Sequence, residues 1–360
     1  MCLKCILKHA DSCAHGGIYS VDHRLVKVDC SSNVNPLGIP RAAIEAIKKN
    51  VGRISPVYPD SECKDLKAAL SRFLSVSTSQ LTVGNGAVEI IYWFCQLYAK
   101  KRVVIPVPTF CEYEVAARRT GAKTTFVALN DSFRLDPNLL IEKSRGADAI
   151  FLCNPNNPTG MLSTKDVKKV IKNLDSSTKI LLDECFIELV DKPEANTLIE
   201  RIGEFENLVI LRSLTKSFGM AGLRVGYSVS SPIIAAKFSE AKIPWNVNGL
   251  AQVAAIAALS DAAHVDRARE IIKKERQCLY SRIKKLENFV PIESDANYFL
   301  VRLKKADSTS FRDLMLKKTG VLVRDCSTFT GMDSSYIRVA VRTRKENMLL
   351  LRALEEMDDV

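Results

Sequence analysis

Between residues 100 and 215 the chain repeats one pattern that restricts its possible folds more than any other feature does. Short apolar runs, Arg102–Pro106 (RVVIP), Ala149–Cys153 (AIFLC), Lys179–Asp183 (KILLD) and Val209–Arg212 (VILR), are bounded by polar residues or by Gly and Pro. Segments of helical period, such as Thr164–Asn173, separate them. Short runs that are apolar on consecutive positions read as strands covered on both faces. Strands alternating with helices build an α/β fold, a mostly parallel sheet sandwiched between helices. Ligands in such folds sit beyond the carboxyl ends of the strands, so the residues just after each run are the candidates for chemistry.

The last hundred residues read differently. A charged helix is expected from about Asp261 to Glu287, then a strand over Asn297–Leu303 and a helix near Ser310–Lys318. Strands over Val321–Arg324 and Tyr336–Val341 and a closing helix from about Lys345 complete a smaller α+β unit. The expected division is a large domain over residues 41–255 and a small domain made of residues 1–40 with 256–360. No internal repeat or low-complexity tract interrupts this plan.

Composition excludes several function classes. Hydrophobic residues make up 47% and charged residues 26%, an ordinary soluble balance. No run reaches the ~20 apolar residues that cross a bilayer, and the polar first residues do not resemble a signal peptide. A cytoplasmic protein is expected, with its eleven cysteines reduced. Cys2 and Cys5, with Cys13 or His9, have the spacing of metal ligands, but no second Cys-x-x-Cys follows at zinc-site distance. The expectation is therefore free thiols and no metal. The net charge of +11 fits an anionic small substrate or a lysine-rich surface, such as Lys165, Lys168, Lys169 and Lys172 on one predicted helix. No stretch interleaves basic residues with aromatics as single-strand binders do, so nucleic acid is not an expected partner.

The decisive segment, Ser213-Leu-Thr-Lys216-Ser-Phe-Gly, follows the apolar run Val209–Leu211 and leads into Gly222-Leu-Arg224-Val-Gly226-Tyr. A lysine at a rigid strand-to-loop junction can be held as a nucleophile, and hydroxyls beside it with an arginine eight positions later can hold a phosphate. Asp183 closes another run in LLDECF, where a fixed carboxylate can keep a pyridine nitrogen protonated. Asn157, in Asn154-Pro-Asn-Asn157-Pro-Thr-Gly160, follows AIFLC and offers an amide donor. Gly84-Asn85-Gly86-Ala87 enters a helix whose first N–H groups can bind a phosphate. Phe110 follows Pro106-Val-Pro-Thr and can stack on a ring. Each element also has a plain structural reading: a turn at Gly84–Gly86, a turn residue at Asn157, a core aromatic at Phe110, a solvated strand end at Asp183. Four such elements in this order, each after an apolar run, are hard to obtain by chance.

GNGAVE, NPNNPTG, DECF and SLTKSFGMAGLRVGY resemble the motif series of class I/II aminotransferases of fold type I, the aspartate-aminotransferase-like enzymes that use pyridoxal phosphate (PLP). The resemblance runs over essentially the whole chain. It implies that Lys216 carries the cofactor as a Schiff base, that Asp183 partners the pyridine nitrogen and that Asn157 donates to the phenolate oxygen. Phe110 resembles the stacking aromatic, usually tyrosine in relatives, so a hydrogen bond from that position is absent here. Gly86, Ala87, Ser213 and Arg224 would hold the cofactor phosphate. Tyr58, in Val57-Tyr58-Pro59-Asp60, resembles a tyrosine that reaches into the neighbouring subunit's phosphate site, which implies a homodimer with shared active sites.

Fold does not settle the reaction. His15-Gly16-Gly17 and Asn33-Val-Asn35-Pro resemble one subgroup, the threonine-phosphate decarboxylases of cobalamin synthesis, as do Trp245-Asn-Val-Asn248, Val323-Arg324 and Arg338-Val-Ala-Val-Arg342. The implied substrate is anionic at both a carboxylate and a phosphate, which suits bidentate arginines. Arg324, Arg338 and Arg342 are the candidates, the last two on one strand face at period two. His15 and Asn33 are further candidate contacts, although His15 also reads as a structural histidine and Arg342 as a surface arginine. A histidinol-phosphate aminotransferase is the alternative enzyme. A PLP-sensing regulator is the non-enzyme alternative, disfavoured because only some thirty residues precede the motif series.

Overall fold

A computed structural model describes residues 14–358. A short strand at Val28–Asp29 (β1) precedes the strands of a seven-stranded sheet: Leu81–Gly84 (β2), Arg102–Val107 (β3), Lys123–Ala128 (β4), Ala149–Cys153 (β5), Lys179–Asp183 (β6), Leu208–Ser213 (β7) and Gly226–Ser230 (β8). Their order is β2-β8-β7-β6-β5-β3-β4, and only β8 runs against its neighbours. The apolar runs are therefore strands of one mostly parallel sheet, as their pattern predicts.

Alternate side chains of these strands feed two hydrophobic clusters, one on each face. Ile150, Leu152, Ile180, Leu182 and Ile210 join one, and Phe151, Leu181, Val209 and Leu211 the other. Period two thus explains why the runs are apolar at every position. The helix Thr164–Asn173 closes the first face with Val167, Val170 and Ile171, and the helix Ala87–Tyr98 closes the second with Ile90, Ile91 and Phe94. Because β3, β5, β6 and β7 are parallel, their carboxyl ends, at Val107, Cys153, Asp183 and Ser213, share one edge.

A second sheet follows, built from Phe289–Pro291 (β9), Tyr298–Leu303 (β10), Arg324–Asp325 (β12, after Val321–Leu322, β11) and Tyr336–Ala340 (β13) in the antiparallel order β12-β13-β10-β9. The strand β11 instead pairs with β1, so the single strand expected over Val321–Arg324 is split between two sheets. The helices Ala262–Ile283, Ser308–Thr319 and Arg344–Asp358 cover this part of the molecule, contributing Ile283, Phe311, Met315 and Leu350 to a separate cluster. No helix among the described residues is long and apolar enough to cross a membrane.

Candidate active site

A cavity of about 390 Å³ opens at the shared strand edge, with Cys153, Asp183 and Ser213 on its floor and the buried arginines of the second sheet above. Lys216 sits in a single helical turn, Leu214–Ser217, directly after β7. Ser213 caps that turn, its Oγ accepting from the Thr215 N–H at 3.2 Å. Burial, reinforced by the charge of Arg338, lowers the lysine pKa to about 8, against the opposing pull of Cys185 and Asp183. An amine so poised is a ready nucleophile.

Asp183 is buried, and each of its oxygens has one donor. The Tyr113 hydroxyl donates to Oδ2 at 2.6 Å and the Cys185 N–H to Oδ1 at 2.8 Å. Asn157 accepts from the Arg338 guanidinium through Oδ1, which leaves its Nδ2 donor for a ligand. Phe110 presents a ring at the wall, packed edge-on against Tyr113 at 5.6 Å.

A cradle able to take a phosphate depends on two glycines. Gly86 precedes the helix Ala87–Tyr98 with φ +81°, and the first N–H groups of that helix have no side-chain cap. A Cβ at Gly86 would collide with the Arg224 guanidinium, and one at Gly226 with the Ala87 nitrogen. Only glycines let the arginine and the helix N-terminus converge on one point. Arg224 itself is held at φ +61°, a left-handed conformation that costs a residue with a Cβ roughly 1–2 kcal/mol. Its Nη1 donates to the Ala221 carbonyl at 3.1 Å. Ala87, Ser213, Thr215 and Arg224 line the cavity together. This donor set fits the phosphate, ring and aldehyde of PLP.

Opposite the cradle lie two guanidiniums that have no carboxylate partner among the described residues. Arg338 is buried; it donates to the Ser31 carbonyl at 2.8 Å and to Asn157, and lies over the Tyr298 ring at 5.4 Å. With its amide oxygen assigned toward the guanidinium, Asn33 accepts from Arg338 at 3.3 Å. Burial, with Arg324 adding to it, lowers Arg338 to about 10. Arg324 donates to the Ala14 carbonyl and to Thr328 at 2.9 Å, and burial lowers its pKa too. His15 joins them at the wall, its Nε2 2.9 Å from Oε1 of Glu112, whose Oε2 accepts from Tyr92 at 2.9 Å.

Two expected residues stand elsewhere. Arg342 does not line the cavity. The strand β13 ends at Ala340, so the period-two alternation that would align it with Arg338 does not reach it. Its backbone N–H instead donates to Asn347 at 2.9 Å and its guanidinium pairs with Glu346 at 3.0 Å, at the entry to the last helix. Tyr58 is 79% exposed and stacks on Trp245 at 4.8 Å, outside the cavity of its own chain. Tyr113, on the cavity lining, and Glu112, which touches His15 at the wall, are neighbours of the site that sequence reasoning passed over. Their signal was present: they follow Phe110 by two and three positions at a helix entry, where a residue three along returns to the same side. Phe186, under the Lys216 ammonium at 5.6 Å, ends the DECF motif. The seven cysteines Cys30, Cys63, Cys95, Cys153, Cys185, Cys278 and Cys326 are free, while Cys111 at the cavity wall is disulfide-bonded, a departure from the expectation of reduced thiols. His9, Cys2, Cys5 and Cys13 lie outside the described residues.

The family model for aminotransferases of class I and II matches residues 26–354. A putative threonine-phosphate decarboxylase of Caldanaerobacter subterraneus subsp. tengcongensis is 34% identical, over 94% of this chain and 92% of its own. A histidinol-phosphate aminotransferase of Moorella thermoacetica is 37% identical, over 92% of this chain and 85% of its own. Among solved structures, the histidinol-phosphate aminotransferase of Clostridium acetobutylicum superposes with a TM-score of 0.86 at 32% identity, covering 92% of this chain and 99% of that one.

Proposed function

The chain belongs to the aminotransferase class I and II family, which is PLP-dependent, and from that premise we propose that it decarboxylates L-threonine O-3-phosphate to (R)-1-amino-2-propanol O-2-phosphate in corrinoid synthesis. The observation that carries this reading is the pair of buried guanidiniums, Arg324 and Arg338, facing the cavity without a carboxylate partner among the described residues. A buried unpaired cation is costly, and an anionic ligand offsets that cost. His15, from the His15-Gly16-Gly17 segment, and Asn33 stand beside them. That segment supports the decarboxylase over the aminotransferase.

Bound PLP supplies an aldehyde for the substrate amine and a ring that draws electrons from the bonds at Cα. Lys216 would hold the cofactor and, once released as an amine, would be the group placed to return a proton to Cα. Asp183 keeps the proton of the ring nitrogen, Asn157 donates to the phenolate oxygen and Phe110 packs on the ring. Gly86, Ala87, Ser213 and Arg224 hold the cofactor phosphate. Arg324 and Arg338 would choose the reaction through the substrate group they grip, because that grip orients the bonds at Cα. With the phosphate in their hold, the substrate carboxylate would be left ungripped, which is the posture that decarboxylation needs. Tyr58 enters the partner's phosphate site in a homodimer.

The test is incubation with threonine phosphate alone, without a keto acid. Continuous turnover with one carbon dioxide per aminopropanol phosphate supports the proposal. Stalling after one equivalent with pyridoxamine phosphate formed, or glutamate-dependent amination of imidazole-acetol phosphate, assigns the chain to the aminotransferase reaction instead, which the 37% identical relative favours.

A further inference from the structure

Tyr113 is fully buried, yet its hydroxyl does not merely find any acceptor. It donates at 2.6 Å to Oδ2 of Asp183, across two strands of the sheet. Its ring is held on both sides: it stacks on Phe151 of β5 at 5.1 Å and 15°, and Phe110 packs edge-on against it at 5.6 Å. Phe151 sits two residues before Cys153, which is the register partner of Asp183 on β6. The stack therefore delivers the hydroxyl to the tip of the neighbouring strand. The other oxygen, Oδ1, takes the Cys185 N–H at 2.8 Å. One donor on each oxygen fixes the plane of the carboxylate and leaves its remaining lone pairs for a third partner. Burial and the adjacent Asp183 charge raise the phenol well above its ordinary range, so it stays a proton donor throughout the working pH.

We propose that Tyr113 is a positioning residue of the cofactor site, whose hydroxyl orients Asp183 toward the ring nitrogen and sets how the shared proton divides between nitrogen and carboxylate. The inference rests on Asp183 being the ring-nitrogen partner. A carboxylate that accepts a strong hydrogen bond is a weaker base, so more of the shared proton stays on its nitrogen partner. Removal of the hydroxyl strips both effects at once: the anion loses a compensating donor, and the proton moves from nitrogen toward Oδ2. The same helix entry carries Phe110 and Glu112, so one short segment serves the ring face, the ring nitrogen and, through His15, the substrate wall.

Tyr113→Phe keeps both ring contacts and deletes only the hydroxyl. In holoenzyme reconstituted with cofactor labelled with nitrogen-15 in the ring, its pyridine resonance is expected to shift toward the unprotonated position. A fall in kcat of roughly tenfold with KM within about twofold is the size expected for one lost hydrogen bond to a charged group. Asp183→Asn is measured in parallel. If that variant leaves the resonance where it is in the wild type, Asp183 is not the nitrogen partner and the underlying reading fails. If Asp183→Asn moves the resonance and Tyr113→Phe does not, the inference about Tyr113 is overturned and the tyrosine is only core packing, even if Tyr113→Phe melts earlier. Should Tyr113→Phe not fold, 3-fluorotyrosine at position 113 alone preserves the packing and strengthens the donor. A resonance displaced from that of the wild type supports the proposal, and an unmoved one ends it.

Discussion

Arg212 and Arg338 are the same residue, equally buried, and the protein treats them in opposite ways. Arg212, just before Ser213, lies between Glu184 at 2.8 Å and Glu188 at 2.5 Å, with Thr197 also accepting at 2.8 Å. Burial alone would lower its pKa, but the charges of Glu188 and Glu184 outweigh that and raise it. At Glu184 burial wins over the pull of Arg212, and the carboxyl is raised. Arg338 donates to carbonyl and amide oxygens, lies over a tyrosine face and has no carboxylate in ion-pair contact among the described residues, and burial lowers it to about 10. One cation is neutralised within the fold; the other has no carboxylate partner among the described residues, and the proposed anionic substrate would supply one. Burial by itself therefore does not distinguish a structural arginine from a binding one. The partner does.

The largest effect expected from this contrast is at the neutralised site. Arg212→Met leaves Glu184 and Glu188 buried without a cation, which should cost roughly 3–5 kcal/mol of folding stability in denaturant melts. Arg338→Met should instead leave the melt of the ligand-free protein unchanged or slightly raised. Its loss appears in kcat/KM for the phosphorylated substrate, by roughly 3–5 kcal/mol of transition-state binding. Equal destabilisation by both variants would erase the distinction, and activity within twofold of wild type would remove Arg338 from the site.

A smaller effect follows from ligand linkage. Threonine phosphate at a hundred times its dissociation constant should stabilise the wild type by about 2.7 kcal/mol, measured as a rise in melting temperature. The rise should vanish in Arg338→Met and shrink in Arg324→Ala. Persistence in both would place the anion elsewhere. Glu112→Gln tests the histidine wall. The hydrogen bond from His15 comes first among the influences that hold the Glu112 carboxyl below its usual range. Loss of that charge should raise KM for the substrate by roughly tenfold, about the worth of one charged hydrogen bond, with cofactor affinity unchanged by titration of the apoprotein.

The smallest effect concerns Lys216, whose folded-state pKa of about 8 lies below the ordinary lysine value of 10.5. Below pH 8 both folded and unfolded states carry the proton, and the cost of the buried charge is fully present. Between the two values the unfolded state binds more protons, so apoprotein stability should rise with pH. After discounting for partial exposure the rise is about 1 kcal/mol. Lys216→Met should flatten it; an unchanged slope would show that the lysine is not the source.

The strands, their shared carboxyl edge and the place of Lys216, Asp183, Asn157 and Phe110 at one cavity were legible because each depends on local pattern: an apolar run, then a residue at its end or a few positions beyond. Arg342 misled for the same reason in reverse. Its spacing from Arg338 matched a strand that hydrogen bonding to Asn347 and Glu346 had already ended. Tyr113 and Glu112 were passed over because their nearness to Phe110 in sequence gives their place but not their partners: a buried tyrosine and a helical glutamate read alike whether they touch solvent, core or a charged group.

What the sequence determined alone was the alternation of strand and helix, and with it the edge where chemistry gathers, since periodicity acts over a few residues and needs no distant contact. Only the tertiary structure decided which charges are answered. Glu184 and Arg212 are 28 residues apart, Tyr113 and Asp183 are 70 apart, and Arg338 and Asn157 are 181 apart. Electrostatics depends on distance in space and on the water removed from between the groups. The chain acquires both only when the two sheets close over one cavity.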